Sequence, residues 1–149
     1  MSSPKPLPSL FGRFTAIFQD HEDLSETLRR LRKMCAALDD GRAPLLPELE
    51  PSLLVVDLRL HLGAHFSAEE SEEYFGTVME EAPSLAPQIA ALKWEHLTML
   101  QAADMLCGLA RDQSRWSQLS VPTLELIKQL ERHERAESIL LRHLFSPVR

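Results

Sequence analysis

Four stretches of this chain repeat apolar residues at three- and four-residue spacing, and none alternates apolar with polar residues as a half-buried strand would. That period lines the apolar side chains of each stretch along one stripe of a helix, which has to be buried against other helices. The first stretch runs from about Thr15 to Leu38, carries Ile17, Phe18, His21, Leu24, Leu28, Leu31 and Cys35 on its stripe, and stops at Asp39, Asp40 and Gly41. A second runs from Pro51 to the stop at Pro83, with Gly63 and Gly76 as the points where it would bend. The third, from about Leu85 to Arg111, carries Leu85, Ile89, Leu92, His96, Met99, Leu100, Ala103 and Cys107, and "RDQSRW" breaks it. The fourth starts near Pro122, with Ser120 as a candidate cap, and carries Leu126, Leu130, His133, Glu137, Leu140 and Leu144. Long helices joined by short connections favour antiparallel neighbours, so the expected fold is all-α: an antiparallel up-down four-helix bundle over residues 15–145. The Pro-rich residues 1–14 are expected to be an extended segment ahead of it.

Composition limits what such a bundle does. A single domain of 149 residues buries roughly 70% of its unfolded surface without disulfide or metal staples. A metal here would therefore serve function more than folding. The net charge is −6, from 22 acidic and 16 basic residues, with no basic block to track a phosphate backbone. Nucleic acid is excluded as an expected partner. Pro4, Pro6 and Pro8 stand where a secretory signal would have its apolar core, and no apolar run reaches membrane-spanning length. The expectation is a cytoplasmic protein without a membrane partner. Cys35 and Cys107 are too few for a disulfide scaffold or a cysteine-based zinc site, and read as small buried hydrophobes.

The stripes also carry polar residues, in a repeated order. A lone His21 on the first helix is followed by His65 and Glu69 on the second; a lone His96 on the third is followed by His133 and Glu137 on the fourth. At about 100° per residue, a histidine and a glutamate four positions later lie within roughly 40° of each other. Both pairs share their face with leucines, so all six side chains point into the bundle. Counted at about 1.5 Å per residue from each connection, all four helices also deliver these residues at one level. A single histidine on an apolar face is most often a core histidine bonded to a carbonyl. Four of them with two carboxylates in one interior layer would be expensive to bury unless they shared protons or a cation.

The donor set narrows the metal. Four imidazoles and two carboxylates exceed the ligands of a zinc site, and mixed nitrogen and oxygen donors suit iron or manganese. Six ligands suffice for two adjacent cations if the glutamates bridge, leaving a net positive centre that favours a hydroxide or oxide bridge and keeps positions open for a diatomic molecule. The ferritin-like bundles use a glutamate three residues before histidine instead, and none of the six histidines here has one.

Together, His21 in "FQDHEDL", His65 and Glu69 in "HFSAEE", His96 in "WEHLTML", and His133 and Glu137 in "HERAES" resemble the signature of the hemerythrin-like family, in its bacterial HHE cation-binding branch. The resemblance spans roughly residues 15 to 145. It implies a four-helix bundle with a non-haem, oxo- or hydroxo-bridged di-iron centre, two histidines on each iron and both glutamates bridging. It further implies a protein that binds or senses oxygen, nitric oxide, redox state or iron. Two positions depart from the oxygen carriers of the family: Leu92 stands where they have a further histidine, and Glu137 where they have aspartate. Reversible oxygen carriage is therefore not implied, and a di-iron enzyme of peroxidase or oxidase type is the first alternative. The second is a metal-free structural or interaction bundle that keeps the histidines as a polar network.

Nearby polar residues are assigned lesser roles. His61, one turn before His65, is an open choice between an extra ligand and an outer hydrogen-bond partner, with the latter favoured. Glu72 projects back towards the ligand face as a substitute ligand or gate. Glu70 and Glu73 belong to the solvated side, and His143 to the surface. Met99 and Leu100, with Leu24, Leu62 and Leu140, are expected to wall the centre in apolar surface.

Overall fold

The computed structural model describes the backbone of residues 7–41 and 46–145 and the side chains of residues 21–41 and 46–142. Ile17, Phe18, Leu144 and the side chain of His143 lie outside the described side chains. Every regular element among the described residues is helical: α1 (Leu7–Asp39), α2 (Pro51–Glu69), α3 (Thr77–Glu81), α4 (Ala86–Ala110) and α5 (Ser120–Phe145). The all-α expectation holds. No helix among the described residues is long and apolar enough to cross a membrane.

Local chemistry sets most of the boundaries. α1 begins at Leu7, so it takes in residues 7–14, which the composition assigned to an extended segment. Pro8 is compatible with this because a first-turn residue has no intrahelical use for an N–H. α1 ends where Gly41 adopts φ 66, a left-handed turn that glycine reaches without a Cβ penalty. The Glu50 carboxylate accepts from Leu53 N at 2.9 Å and caps α2 ahead of Pro51. Asp112 accepts from Ser114 N and opens the 3₁₀ segment Gln113–Gln118, where the sequence predicts the break. Ser120 is not a cap. It opens α5, and its hydroxyl donates across to the Cys35 carbonyl of α1 at 3.4 Å.

The second helical stretch departs most from expectation. It does not run unbroken to Pro83: α2 stops at Glu69, Ser71 turns extended at ψ 159, and a π-helical turn, Glu72–Gly76, precedes α3. The Ser71 hydroxyl donates to Ala68 O at 2.7 Å and its carbonyl accepts from both Tyr74 N and Gly76 N, so local bonds replace the helical ladder. The break falls between the two glycines. Gly63 stays inside α2, and Gly76 closes the π turn.

α1 packs on α2 and α5, and α4 packs on the same two helices, which closes a ring of helix pairs. The interior holds two apolar clusters. The larger joins Leu24, Leu28, Leu31, Met34 and Cys35 of α1 to Leu54 through Phe66 of α2, Met99 through Ala110 of α4, and Leu126, Ile127 and Leu130 of α5. The smaller joins Tyr74, Phe75, Val78, Ile89, Leu92, Leu140 and Leu141. Along α4 the order is Leu92, His96, Met99; along α5 it is Leu130, His133, Glu137, Leu140. The histidines and glutamates thus form a polar layer between the two clusters.

Candidate metal centre

All six residues singled out from sequence meet in that layer. His65, Glu69, His96, His133 and Glu137 are buried, and the His21 side chain is 15% exposed. Ligand atoms of His21, His65, Glu69 and Glu137 lie within 4.8 Å of one another, as do those of Glu69, His96 and His133, so Glu69 belongs to both groups. Either group can hold a metal ion.

The two carboxylates divide their oxygens between the histidine pairs. Glu69 Oε2 faces His65 Nε2 at 3.3 Å and His21 Nε2 at 3.8 Å, while Oε1 faces His96 Nε2 at 3.0 Å and His133 Nε2 at 4.0 Å. Glu137 places Oε1 3.3 Å from His21 Nε2 and Oε2 3.8 Å from His133 Nε2. Most of these separations suit an atom in the middle better than a direct bond: among the described residues, Glu69 Oε1 and Oε2 and Glu137 Oε2 make no hydrogen bond although they are buried. The histidines add a second sign. His96 Nδ1 lies 2.7 Å from Glu70 Oε2, and His133 Nδ1 lies 2.8 Å from Glu95 Oε1. A carboxylate accepts, so Nδ1 carries the proton on both rings. Their Nε2 atoms are nevertheless 3.1 Å apart. Two inward lone pairs at that distance need a proton or a cation between them, and the oxygens already present make a cation chemically fitting.

Without a cation, protons and opposed charges hold the layer. Burial pushes the His21 imidazole down, but the facing carboxylates of Glu137 and Glu69 prevail and raise its pKa to about 10. His133 is also raised, against burial, by Glu69 and Glu95. Burial acts upward on Glu69, yet the close approach of Glu137, His133, His21 and His65 holds its carboxyl well below the usual range. Glu137 goes the other way: burial and the adjacent Glu69 carboxylate raise it to about 7. One carboxylate is thus held ionised and its neighbour takes up the proton.

Several neighbours were not legible in advance. Tyr74 is buried, and its phenol donates to Glu137 Oε1 at 3.1 Å; burial, then the charges of Glu137 and Glu69, push that phenol up. In an unbroken helix Tyr74 would sit about 140° from Glu69, off the ligand face, and only the Ser71 break brings it inward. Glu70 corrects the expectation of a purely solvated residue, because its half-exposed carboxylate reaches His96 on α4. Glu95 does the same for His133 on α5. Half-buried Glu134 lies close enough to feel the charges of His21, His65 and His133, and burial raises its carboxyl. Phe66 stacks on His96 with centroids 4.0 Å apart, and Phe75 lies parallel to the same ring.

The remaining assignments divide. Glu72 is exposed, its carboxylate lying over Gly76, where an added Cβ would meet Oε2 at 2.7 Å. It belongs to neither metal-competent group, and neither does half-buried His61. Glu73 is exposed, as expected. Leu24, Leu62, Met99 and Leu140 are buried beside the layer, with Leu100 partly buried. Cys35 and Cys107 are buried free thiols. Leu92 is 4% exposed and packs in the smaller cluster, so no further imidazole comes from one turn before His96.

Comparison of the chain with protein-family models, curated proteins and solved structures finds no match.

Proposed function

We propose that this protein is a hemerythrin-like, non-haem di-iron protein that binds or senses oxygen, nitric oxide, or the redox or iron state of its surroundings. The observation that carries the reading is the division of oxygens: each buried glutamate presents one oxygen to the His21 side of the layer and the other to the His133 side. That is the placement two bridging carboxylates require, with His21 and His65 holding one iron and His96 and His133 the other. An antiparallel up-down bundle is part of the same reading. It is supported by the order in which helices meet the two clusters: α5 runs from the larger cluster through the layer to the smaller one, α4 the reverse, α2 from the larger cluster into the layer at Glu69, and α1 from His21 into the larger.

A bound iron pair would supply a redox-active centre with open positions for oxygen or nitric oxide. The chain's own residues orient and insulate it. Glu70 and Glu95 fix the His96 and His133 rings, Tyr74 holds Glu137 through its phenol, and the two apolar clusters limit water. Because Leu92 supplies carbon where oxygen carriers have an imidazole, the reading favours sensing or a redox response over reversible oxygen transport.

The test is metal content and spectrum. Anaerobic loading with ferrous iron followed by air should give two irons per chain and charge-transfer absorption that changes on reduction and on adding azide. Glu69→Ala with Glu137→Ala should lose both metals. Less than one metal per wild-type chain would favour the metal-free polar network instead, and unchanged iron in the double variant would refute the bridging roles.

A further inference from the structure

The outer surface of the bundle is uneven. Of the eleven large hydrophobic side chains that stand exposed among the described residues, six lie on α2 and α4: Leu53, Val56 and Leu60, then Trp94, Leu97 and Met105, each 43 to 69% exposed. The described part of α1 exposes none and shows charged residues such as Glu22, Asp23, Arg29 and Lys33 instead. At about 100° per residue, the three side chains of α2 fall within about 60° of one another and the three of α4 within about 80°. Both stripes border one seam. The Arg59–Asp104 ion pair crosses between the helices at 2.6 Å, with Arg59 within about 60° of Val56 and Asp104 within about 20° of Leu97. Contacts also set the levels: Val55 lies beside Cys107, Arg59 beside Asp104 and Glu70 beside His96, so numbers rise along α2 as they fall along α4. Bulky residues on one helix are therefore level with small, exposed ones on the other, Leu53 with Gly108, and Trp94 and Leu97 with Ala64, Ser67 and Ala68. The face carries no net charge, Asp57 and Asp104 standing against Arg59 and Lys93, in a chain of net charge −6.

We propose that this face binds a second copy of the chain, about a two-fold axis that runs along the α2/α4 seam. Such an axis lays α2 of each copy over α4 of the other at the same level. Leu53 then packs into the gap at Gly108, Trp94 and Leu97 pack over Ala64, Ser67 and Ala68, and each Arg59 reaches Asp104 of the other copy. The surface thus fits itself, as an isologous interface requires. Charge selects the same occupant: two copies at −6 repel over most approaches, and this neutral face lets them meet without opposed like charges. An anionic lipid surface fits less well, because the two cations of the face are balanced by two aspartates. Residues 53–68 span about 22 Å of helix, and two helices side by side are about 20 Å wide, which is the small end of specific interfaces and implies a dimer in the micromolar range. His65, Glu69 and His96 lie on the inner sides of the same two helices, so pairing sets two polar layers back to back.

The test is sedimentation equilibrium of the full chain across the micromolar range. The wild type should pass from monomer to dimer and no further. Leu60→Glu combined with Leu97→Glu, both at exposed positions, should melt like wild type by circular dichroism and stay monomeric, whereas Val121→Glu, at an exposed hydrophobic residue of α5 outside the face, should leave the dimer intact. Arg59→Glu and Asp104→Lys give a readout specific to the two-fold. Each alone opposes like charges twice across the interface and should weaken dimerisation roughly 10-fold. Mixed one to one they should restore it, because every contact of the mixed pair joins opposite charges. A wild type that stays monomeric, a dimer that survives the double glutamate variant, or a mixture no more dimeric than either charge variant alone overturns the proposal. A monomer that cosediments with phosphatidylcholine vesicles would assign the face to lipid, and one that does not would leave it to a different protein.

Discussion

Replacing Glu69 with glutamine keeps its volume and removes a carboxylate that faces all four histidines of the layer. In metal-free protein that carboxylate is held ionised by the groups that face it, and it helps raise His21 from 6.5 to about 10. At pH 7 a shift of that size corresponds to stabilisation on the order of 4 kcal/mol from His21 alone, shared between Glu137 and Glu69. The same change leaves the His133 imidazole without a main source of its raised proton affinity. Breaking a buried charged pair by removing one partner costs about 3–5 kcal/mol, so the two routes agree. For a domain of this size each kcal/mol lowers the melting temperature by roughly 2–4 °C, so Glu69→Gln should melt about 10 °C below wild type. The assay is thermal unfolding by circular dichroism at pH 7 in EDTA, which isolates the network from any metal. Variant and wild type melting within about 2 °C of each other would refute a Glu69-centred network.

Three further outcomes follow from the same geometry. His21 is raised when folded, so its contribution is complete below pH 6.5 and lost as pH climbs towards 10; Glu137, raised to about 7, stabilises only while protonated, and that contribution fades between 4.5 and 7. Metal-free protein should therefore melt progressively lower from mildly acidic pH to pH 10 in a pH series of scans, and a melting temperature that rises over that range would contradict the assignment. Tyr74→Phe keeps the buried ring and deletes the bond to Glu137, so denaturant unfolding of metal-free protein should show a loss of about 1–2 kcal/mol, against a larger loss for Tyr74→Ala. Leu58→Ala, at a fully buried position in the larger cluster, should cost about 2–5 kcal/mol and leave metal stoichiometry unchanged.

The sequence by itself determined the all-helical class, the faces of the long helices and the six residues of the layer, because these rest on a local rule. The 3.6-residue period fixes which side chains share a stripe, and stops such as Gly41 and Asp112 act within a few residues. His65 with Glu69 and His133 with Glu137 were legible for the same reason, each pair sitting one turn apart on one face. Tertiary structure alone decided what surrounds them. Glu70 reads as a solvated side chain and the pattern singles out nothing at Glu95, yet they are partners of His96 and His133 because another helix carries an imidazole to within 2.7 and 2.8 Å. Tyr74 was hidden for a different reason: its inward position depends on the Ser71 break, where side-chain and π-type bonds displace a ladder that the residue pattern predicts to continue. Periodicity reports the face a residue occupies on its own helix. Only packing decides which neighbour's chemistry that face meets, and here it sets two outer carboxylates on one pair of imidazoles and a phenol on one of the shared glutamates.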